Sequence, residues 1–324
     1  MTIRLEKYKG IIFLPILILL LSVSPSFAQT DLSIGVAPTS KVLKMSPGEV
    51  YSDEIVFWNI SQTGDTYKVF ISGFEQIENQ PGTAIILTPE DDAKALYSAS
   101  KWFTTEKDTL YLEPNKNIKL KYSITVPQDA TKGEFNAEIF LISQTEFEQI
   151  GTGAFTNLAA GTPFLIQIGD EFVENAELLS FISDKKIYEK INVKLLTHIK
   201  NIGDTHITPT GEIVIENIFR QEVARLPFNK NNQSLLRDTD GNYEDIWLQS
   251  SYLSPNNAIA LGPLKAKLFV TYRSFQPGFA VLNAETTFWI IPWKIIIAIT
   301  VTILLAIIVK AIRKNLAKKN NENR

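Results

Sequence analysis

Along most of this chain hydrophobic residues recur at every second position. The clearest run is Ile118, Leu120, Tyr122, Ile124 and Val126, which alternate with Lys119, Lys121, Ser123 and Thr125. Period two sends one set of side chains inward and the other into water, as in a half-buried β-strand. The pattern begins at Leu32, Ile34 and Val36, and Val42 and Leu43 lead into a turn at Ser46-Pro-Gly-Glu49. Further strands are predicted over 50–60, 66–73, 84–87, 109–112, 135–143 and 162–169. Polar turns separate them at 61–65, 113–117 and 127–133. Residues 74–100 are less regular, with loops at Pro81-Gly82 and 89–92 and a helical turn at 93–100. Strands and turns alternating at roughly ten-residue spacing predict an antiparallel sandwich.

A second stretch of the same kind follows a boundary near 170–175. Ile191, Val193 and Leu195 alternate, with Leu196 breaking the register, and strands are predicted at 211–218, 222–228, 264–272 and 280–288. Asn59-Ile-Ser-Gln-Thr-Gly-Asp-Thr66 parallels Asn201-Ile-Gly-Asp-Thr205: an asparagine closes one strand, and Gly-Asp-Thr precedes the next. Glycine supplies positive φ, and Asn or Asp can bond nearby backbone. The expected fold is therefore an all-β ectodomain of two related Ig-like antiparallel β-sandwich domains, at 29–170 and 171–288.

Two apolar runs lie outside that pattern. Residues 295–309 carry no charge and are preceded by Trp289, Trp293 and Lys294. With 288–293 included they form a helix of about 33 Å, long enough for a hydrocarbon core of about 30 Å. A transmembrane helix is expected over 289–310, with the tryptophans in the interfacial belt and Lys294 reaching headgroups. The tail, 311–324, is basic. From Lys310 onward it holds Lys310, Arg313, Lys314, Lys318, Lys319 and Arg324 against Glu322. The positive-inside rule then puts the C-terminus in the cytoplasm and the N-terminal ectodomain outside a single-pass protein. At the other end Arg4, Lys7 and Lys9 precede an apolar segment, 11–23, and Ser26 and Ala28 end it. This is the layout of a signal peptide, 1–28.

Composition sharpens the address. Of the chain's net −3, residues 1–28 contribute +2 and Lys294 with the tail +6, which leaves −11 on the intervening segment. An acidic ectodomain argues against nucleic acid as a partner. There is no cysteine, which excludes disulfides and thiolate metal sites and favours a bacterial cell surface.

Candidate chemistry is sparse. Asp238, Asp240, Asn242 and Glu244 form an acidic, glycine-containing stretch that suits calcium, and its Asp-Gly is equally a hairpin-turn signal. His198 and His206 flank the Asn201 turn, with Asp204 between them, and read as a metal or acid–base pair or as ordinary turn residues. Gly151-Thr-Gly153 lacks the flanking strand, helix and lysine of a phosphate loop. No serine sits in a nucleophile elbow, and nothing selects a carboxylate pair for glycoside hydrolysis. No enzymatic activity and no cofactor other than calcium is expected.

The signal segment, the Ser46-Pro-Gly-Glu49 turn before a long strand, Val126-Pro127-x-x-Ala130-x-x-Gly133 before the next, and the C-terminal helix with its basic tail make the chain resemble bacterial cell-surface proteins of the WxL-interacting type and their relatives. That resemblance implies binding to peptidoglycan and to partner surface proteins, and it transfers no individual binding residue. The expectation is a membrane-anchored surface protein with a binding or adhesive ectodomain, whose partners are membrane lipid and peptidoglycan or other surface proteins. Two alternatives stand beside it: an accessory membrane subunit of a surface-assembly or secretion system, and an envelope hydrolase.

Overall fold

A computed structural model of the chain describes residues 34–144, 160–255, 257–272 and 280–322. The signal segment and Gly151-Thr-Gly153 lie outside them. The first sandwich pairs a four-stranded sheet with a five-stranded one. The four-stranded sheet is ordered β1 (Ile34–Ala37), β3 (Val50–Asn59), β9 (Asn117–Thr125), β7 (Phe103–Thr105). Its partner is ordered β2 (Lys41–Met45), β11 (Ala160–Ile168), β10 (Gly133–Ser143), β4 (Asp65–Ser72), β8 (Thr109–Leu112). All neighbours run antiparallel except β2 with β11. A small hairpin, β5 (Phe74–Gln76) with β6 (Ala84–Ile86), projects from the end of β4.

Alternation builds this core. Leu120, Tyr122 and Ile124 of β9 face Ile139 and Leu141 of β10 and Phe164 and Ile166 of β11 in one buried cluster. Each fully buried side chain of this size contributes roughly 1.5–3 kcal/mol. Residues 89–92, expected as loop, form the short helix α1 (Pro89–Asp92), because Thr88 caps Asp91 N–H and Pro89 suits a first turn. The helical turn expected over 93–100 is instead a 3-10 turn at Ser100–Trp102.

The second sandwich sets β12 (Ala176–Ser183), β14 (Ile191–Asn201) and β17 (Asp240–Gln249) against five strands. Those are ordered β13 (Ile187–Tyr188), β19 (Val281–Ile290), β18 (Gly262–Thr271), β15 (Thr210–Asn217), β16 (Glu222–Phe228). Its core is a separate cluster that includes Val193, Leu195, Ile215, Leu268 and Phe288. Leu196 does not break β14, which runs unbroken to Asn201 with Leu196 on the outer face. Strand β19 extends through Trp289 to Ile290, so the helix begins at Trp293 rather than 289 and spans Trp293–Glu322 as α2. Trp289 is held in the sheet by pairing with Ile187 and Pro263.

The paired asparagine turns have one geometry. Asn59 Nδ2 donates to the Thr63 carbonyl at 2.7 Å, and its Oδ1 accepts from Ser61 N–H at 2.8 Å. Asn201 Nδ2 donates to Thr205, Leu235 and Leu236 carbonyls at 2.8, 3.3 and 2.9 Å, while Oδ1 accepts from Gly203 N–H at 2.9 Å. Both side chains are buried, so each satisfies backbone groups that water cannot reach. Replacing Asn201 with alanine orphans several of these groups and is expected to cost about 2–4 kcal/mol. Asn192→Ala, on an exposed position of the same strand, should stay within about 0.5 kcal/mol. Urea denaturation of the two variants checks the contrast, and equal losses would refute this role.

Candidate functional site: the groove between the sandwiches

The two sandwiches meet along a polar seam. Gly133 opens β10 at φ +127°, and a Cβ there would lie 3.2 Å from the Asp204 carbonyl oxygen and collide with Arg237. Only glycine lets β10 approach the second sandwich this closely. The next residue, Glu134, is buried and donates its N–H to that same carbonyl at 2.8 Å. Its Oε2 lies 2.6 Å from His206 Nδ1 and accepts from Thr205 Oγ1 at 2.9 Å and Gln167 Nε2 at 3.0 Å, and its Oε1 accepts from His206 N–H at 3.0 Å.

Burial alone would push the Glu134 carboxyl up, but the bond and charge of His206 outweigh it, and the group is held below its ordinary value. Burial would likewise lower His206, and Glu134 raises it instead. Each partner thus favours the charged form of the other, and when both are charged the pair is a desolvated carboxylate–imidazolium bridge.

Around it, Gln76 of β5 donates to the Asp240 carbonyl at 2.7 Å and accepts from Thr239 Oγ1 at 3.0 Å and Leu236 N–H at 3.2 Å. Backbone bonds join Gly82 to Ser234 at 2.8 Å and Asn242 to Asn79 at 3.1 Å.

Beside this seam the surfaces of both sandwiches enclose a groove of about 550 Å³. Val42, Phe74, Pro163 and Leu165 line it from the first sandwich, Gln233 and Leu236 from the second. Glu138 lies in the same wall, two positions beyond Asn136 on the outer face of β10. Among the described residues no side-chain partner meets it, and burial pushes its carboxyl up to about 7. The groove thus offers an apolar wall and one carboxyl that switches charge near neutrality. Lys41 also borders the groove, but its ammonium is engaged by Asp53, Tyr51 and Tyr122, and Asp53 is held down to about 2 by its bond to Lys41.

The residues singled out from sequence fall differently. Asp240, Asn242 and Glu244 alternate along strand β17, not around a loop, and each has its own partner. Asp240 meets His198 at 2.8 Å, Glu244 meets Lys194 at 2.8 Å, and Asn242 bonds Asn79 at 3.3 Å. Asp238, at φ 57°, accepts from Tyr97 of the first sandwich at 2.5 Å. Among the described residues no group of three or more His, Asp or Glu is placed to hold a metal.

The turn expected at Asp240-Gly241 is not there. Gly241 sits inside β17 with Leu235 and Pro81 packed close, and the chain turns earlier, at Asp238. His198, His206 and Asp204 are not brought together: Asp204 accepts from Val173 N–H at 2.7 Å and meets Lys132 at 3.4 Å. Glu134 and Glu138 were not recognised in the sequence. The available signal was the polar outer face of β10, where Glu134, Asn136 and Glu138 precede Phe140 and Ile142.

No family model matches the sequence, and no curated protein matches it either. Solved structures with a similar arrangement include the class 5 fimbriae chaperone CfaA, at 11% identity and TM-score 0.38 over 78% of this chain and 98% of that one. The Pseudomonas aeruginosa CupB2 chaperone matches at 9% identity and TM-score 0.36 over 77% and 98%. The E. coli chaperone DraB matches at 9% identity and TM-score 0.36 over 78% and 97%.

The acids around the groove respond to pH in opposite directions. Glu134 is depressed, so its contribution is present above the ordinary carboxylate range and is lost as pH falls through its folded value. His206 is raised, so its contribution is lost as pH rises through its folded value. Glu138 binds its proton more tightly when folded, so stability falls as pH rises from about 4.5 to about 7. Glu138→Gln should therefore raise stability at pH 8 by on the order of 2 kcal/mol after allowance for partial exposure, seen as a higher Tm, and leave it unchanged at pH 4. Glu134→Gln should lower the Tm at pH 7. Thermal melts of both variants across pH check the signs, and a pH-independent effect of Glu138→Gln would contradict its burial as a charged group.

Proposed function

We propose that this chain is a non-enzymatic, membrane-anchored bacterial surface protein whose ectodomain holds an extended segment of another envelope protein in the groove between its sandwiches. The observation that carries this reading is the groove itself, built jointly by two hydrogen-bonded domains, with an apolar wall and a half-buried carboxyl without a partner among the described residues. Pockets that combine apolar walls with a few polar groups are the usual form of a binding site. A polypeptide, with apolar side chains and amide groups in alternation, complements it better than a uniformly hydroxylated glycan.

Helix α2 supports the anchor. Within Trp293–Lys314 an 18-residue stretch has a mean hydropathy of 2.9 and is unburied by the rest of the protein. Thr300 and Thr302 donate their hydroxyls to the Ile296 and Ala298 carbonyls at 2.9 and 2.8 Å. Their hydrogen-bonding capacity is met within the helix, which favours lipid around it over bonding to another membrane helix. Lys310, Arg313 and Lys314 at its far end support a cytoplasmic C-terminus. The proposal keeps the chain beside the WxL-interacting surface proteins it resembles in sequence, with a protein partner preferred to peptidoglycan.

Photo-crosslinking in the native host tests the groove. A benzophenone amino acid at Val42 or Thr83 should give an adduct with a discrete envelope protein, and one at Tyr111 should not. Glu138→Lys should abolish the adduct. Equal crosslinking from Tyr111, or binding of isolated wall fragments at wild-type level by Glu138→Lys in place of any protein adduct, would overturn it.

A further inference from the structure

Exposed hydrophobic side chains collect at the end of the second sandwich that meets α2. Strand register sets their height. Asn217, the last residue of β15, pairs with Leu264, and Leu264 pairs with Phe288. The turn beyond Asn217 is therefore level with Trp289 and Ile290, just before the helix begins at Trp293. That turn carries Ile218 at 61% and Phe219 at 72% exposure. Two strand spacings, about 10 Å, separate it laterally from β19. The connection from β17 to β18 lies at the same end, because Ile191 pairs with Gln249 there, and it exposes Leu253 at 52% and Ile259 at 49%. Ile187, opposite Trp289, is 60% exposed. Scattered apolar residues are ordinary on a surface, but several loops presenting them at one level on one end are not.

These loops are locked to one another and to the helix. Asn217 Oδ1 accepts from Phe219 N–H at 3.0 Å, and its Nδ2 donates to the Ile259 carbonyl at 3.2 Å, which ties the two exposed loops together. Tyr252 donates to the Glu189 carbonyl at 2.9 Å, and the Glu189 carboxylate meets Lys294 of α2 at 2.9 Å. Only Ile291 and Pro292 separate β19 from α2, and Ile291 N–H bonds the Tyr188 carbonyl at 2.8 Å.

We infer that this end of the second sandwich is seated in the lipid surface, with Ile218, Phe219, Leu253 and Ile259 inserted at the level of Trp289 and Trp293. The occupant is lipid because the patch is continuous with the helix that enters it and stands at the depth of the interfacial tryptophans. Lys186, Lys190 and Arg220 at the same end match an anionic headgroup layer. Interfacial amphipathic elements bind by burying an apolar face about 5–10 Å into the boundary between headgroups and acyl chains. The inference rests on α2 being the membrane anchor. It adds a second point of attachment beside the helix and fixes the groove's tilt over the surface.

The absence of cysteine makes site-specific labelling direct. The full chain, carrying Phe219→Cys, Leu253→Cys, Leu96→Cys or Ile303→Cys with an environment-sensitive fluorophore, is reconstituted in phosphatidylcholine–phosphatidylglycerol vesicles. Labels at 219 and 253 should shift to shorter wavelength, lose emission to nitroxide at the lipid headgroup, and be shielded from aqueous iodide. The label at 96, in the first sandwich, should show none of these, and the label at 303 should be quenched by nitroxide deep in the acyl chains. Quenching at 303 with labels at 219 and 253 behaving like 96 would overturn the seating and leave the anchor standing. Shielding from iodide without lipid quenching would assign the patch to a protein and overturn the lipid assignment. Loss of quenching at 303 would overturn the anchor and the seating together.

Discussion

The buried bridge between Glu134 and His206 is the interaction on which the architecture depends. Each sandwich has its own hydrophobic core, so neither core dictates how the two are set against each other. That angle is decided at the seam, where a carboxylate and an imidazolium are withdrawn from water together. Desolvating both is costly, and the arrangement stands because Thr205, Gln167 and the His206 N–H occupy the remaining acceptor positions. Leaving either charge without its partner costs about 3–5 kcal/mol, far more than an exposed ion pair contributes. An interface of this kind specifies one orientation, because sliding by a residue would strand a buried charge.

The groove follows from that constraint. Its walls come from both sandwiches, so it exists only while their relative position is held. Gly133 permits the close approach, Glu134 locks it, and Glu138, four residues along the same face of β10, meets the groove. One strand thus carries the joint and part of the site. At the opposite end of the second sandwich, its last strand in sequence, β19, runs almost directly into α2, and the Glu189–Lys294 pair braces the corner.

Much of this was legible in the sequence, and the rest was hidden for identifiable reasons. The strict alternation of 118–126 announced β9, because a strand with one wet face has to alternate. Asn59 and Asn201 announced matching strand ends, because the asparagine side chain stands in for a backbone turn. The apolar run announced α2. Strand β17 was concealed by its own polar residues: Asp240, Asn242 and Glu244 look like a loop because its outer face is wholly polar there, and Asp-Gly mimics a turn. The start of the helix was placed too early because tryptophan suits a strand edge as well as a membrane interface. The Glu134–His206 pair was invisible because its members are 72 positions apart and only the packing of two domains brings them together.

The most direct test is the distribution of distances between the sandwiches in the full chain. Spin labels at Tyr111→Cys and Leu179→Cys, one exposed site in each sandwich, would report it by pulsed electron–electron double resonance at pH 7. A single narrow distribution that broadens on Glu134→Gln is the result this account predicts. A broad distribution in the otherwise unaltered chain would contradict it, because a groove shared by two loosely tethered domains would have no fixed shape to bind with.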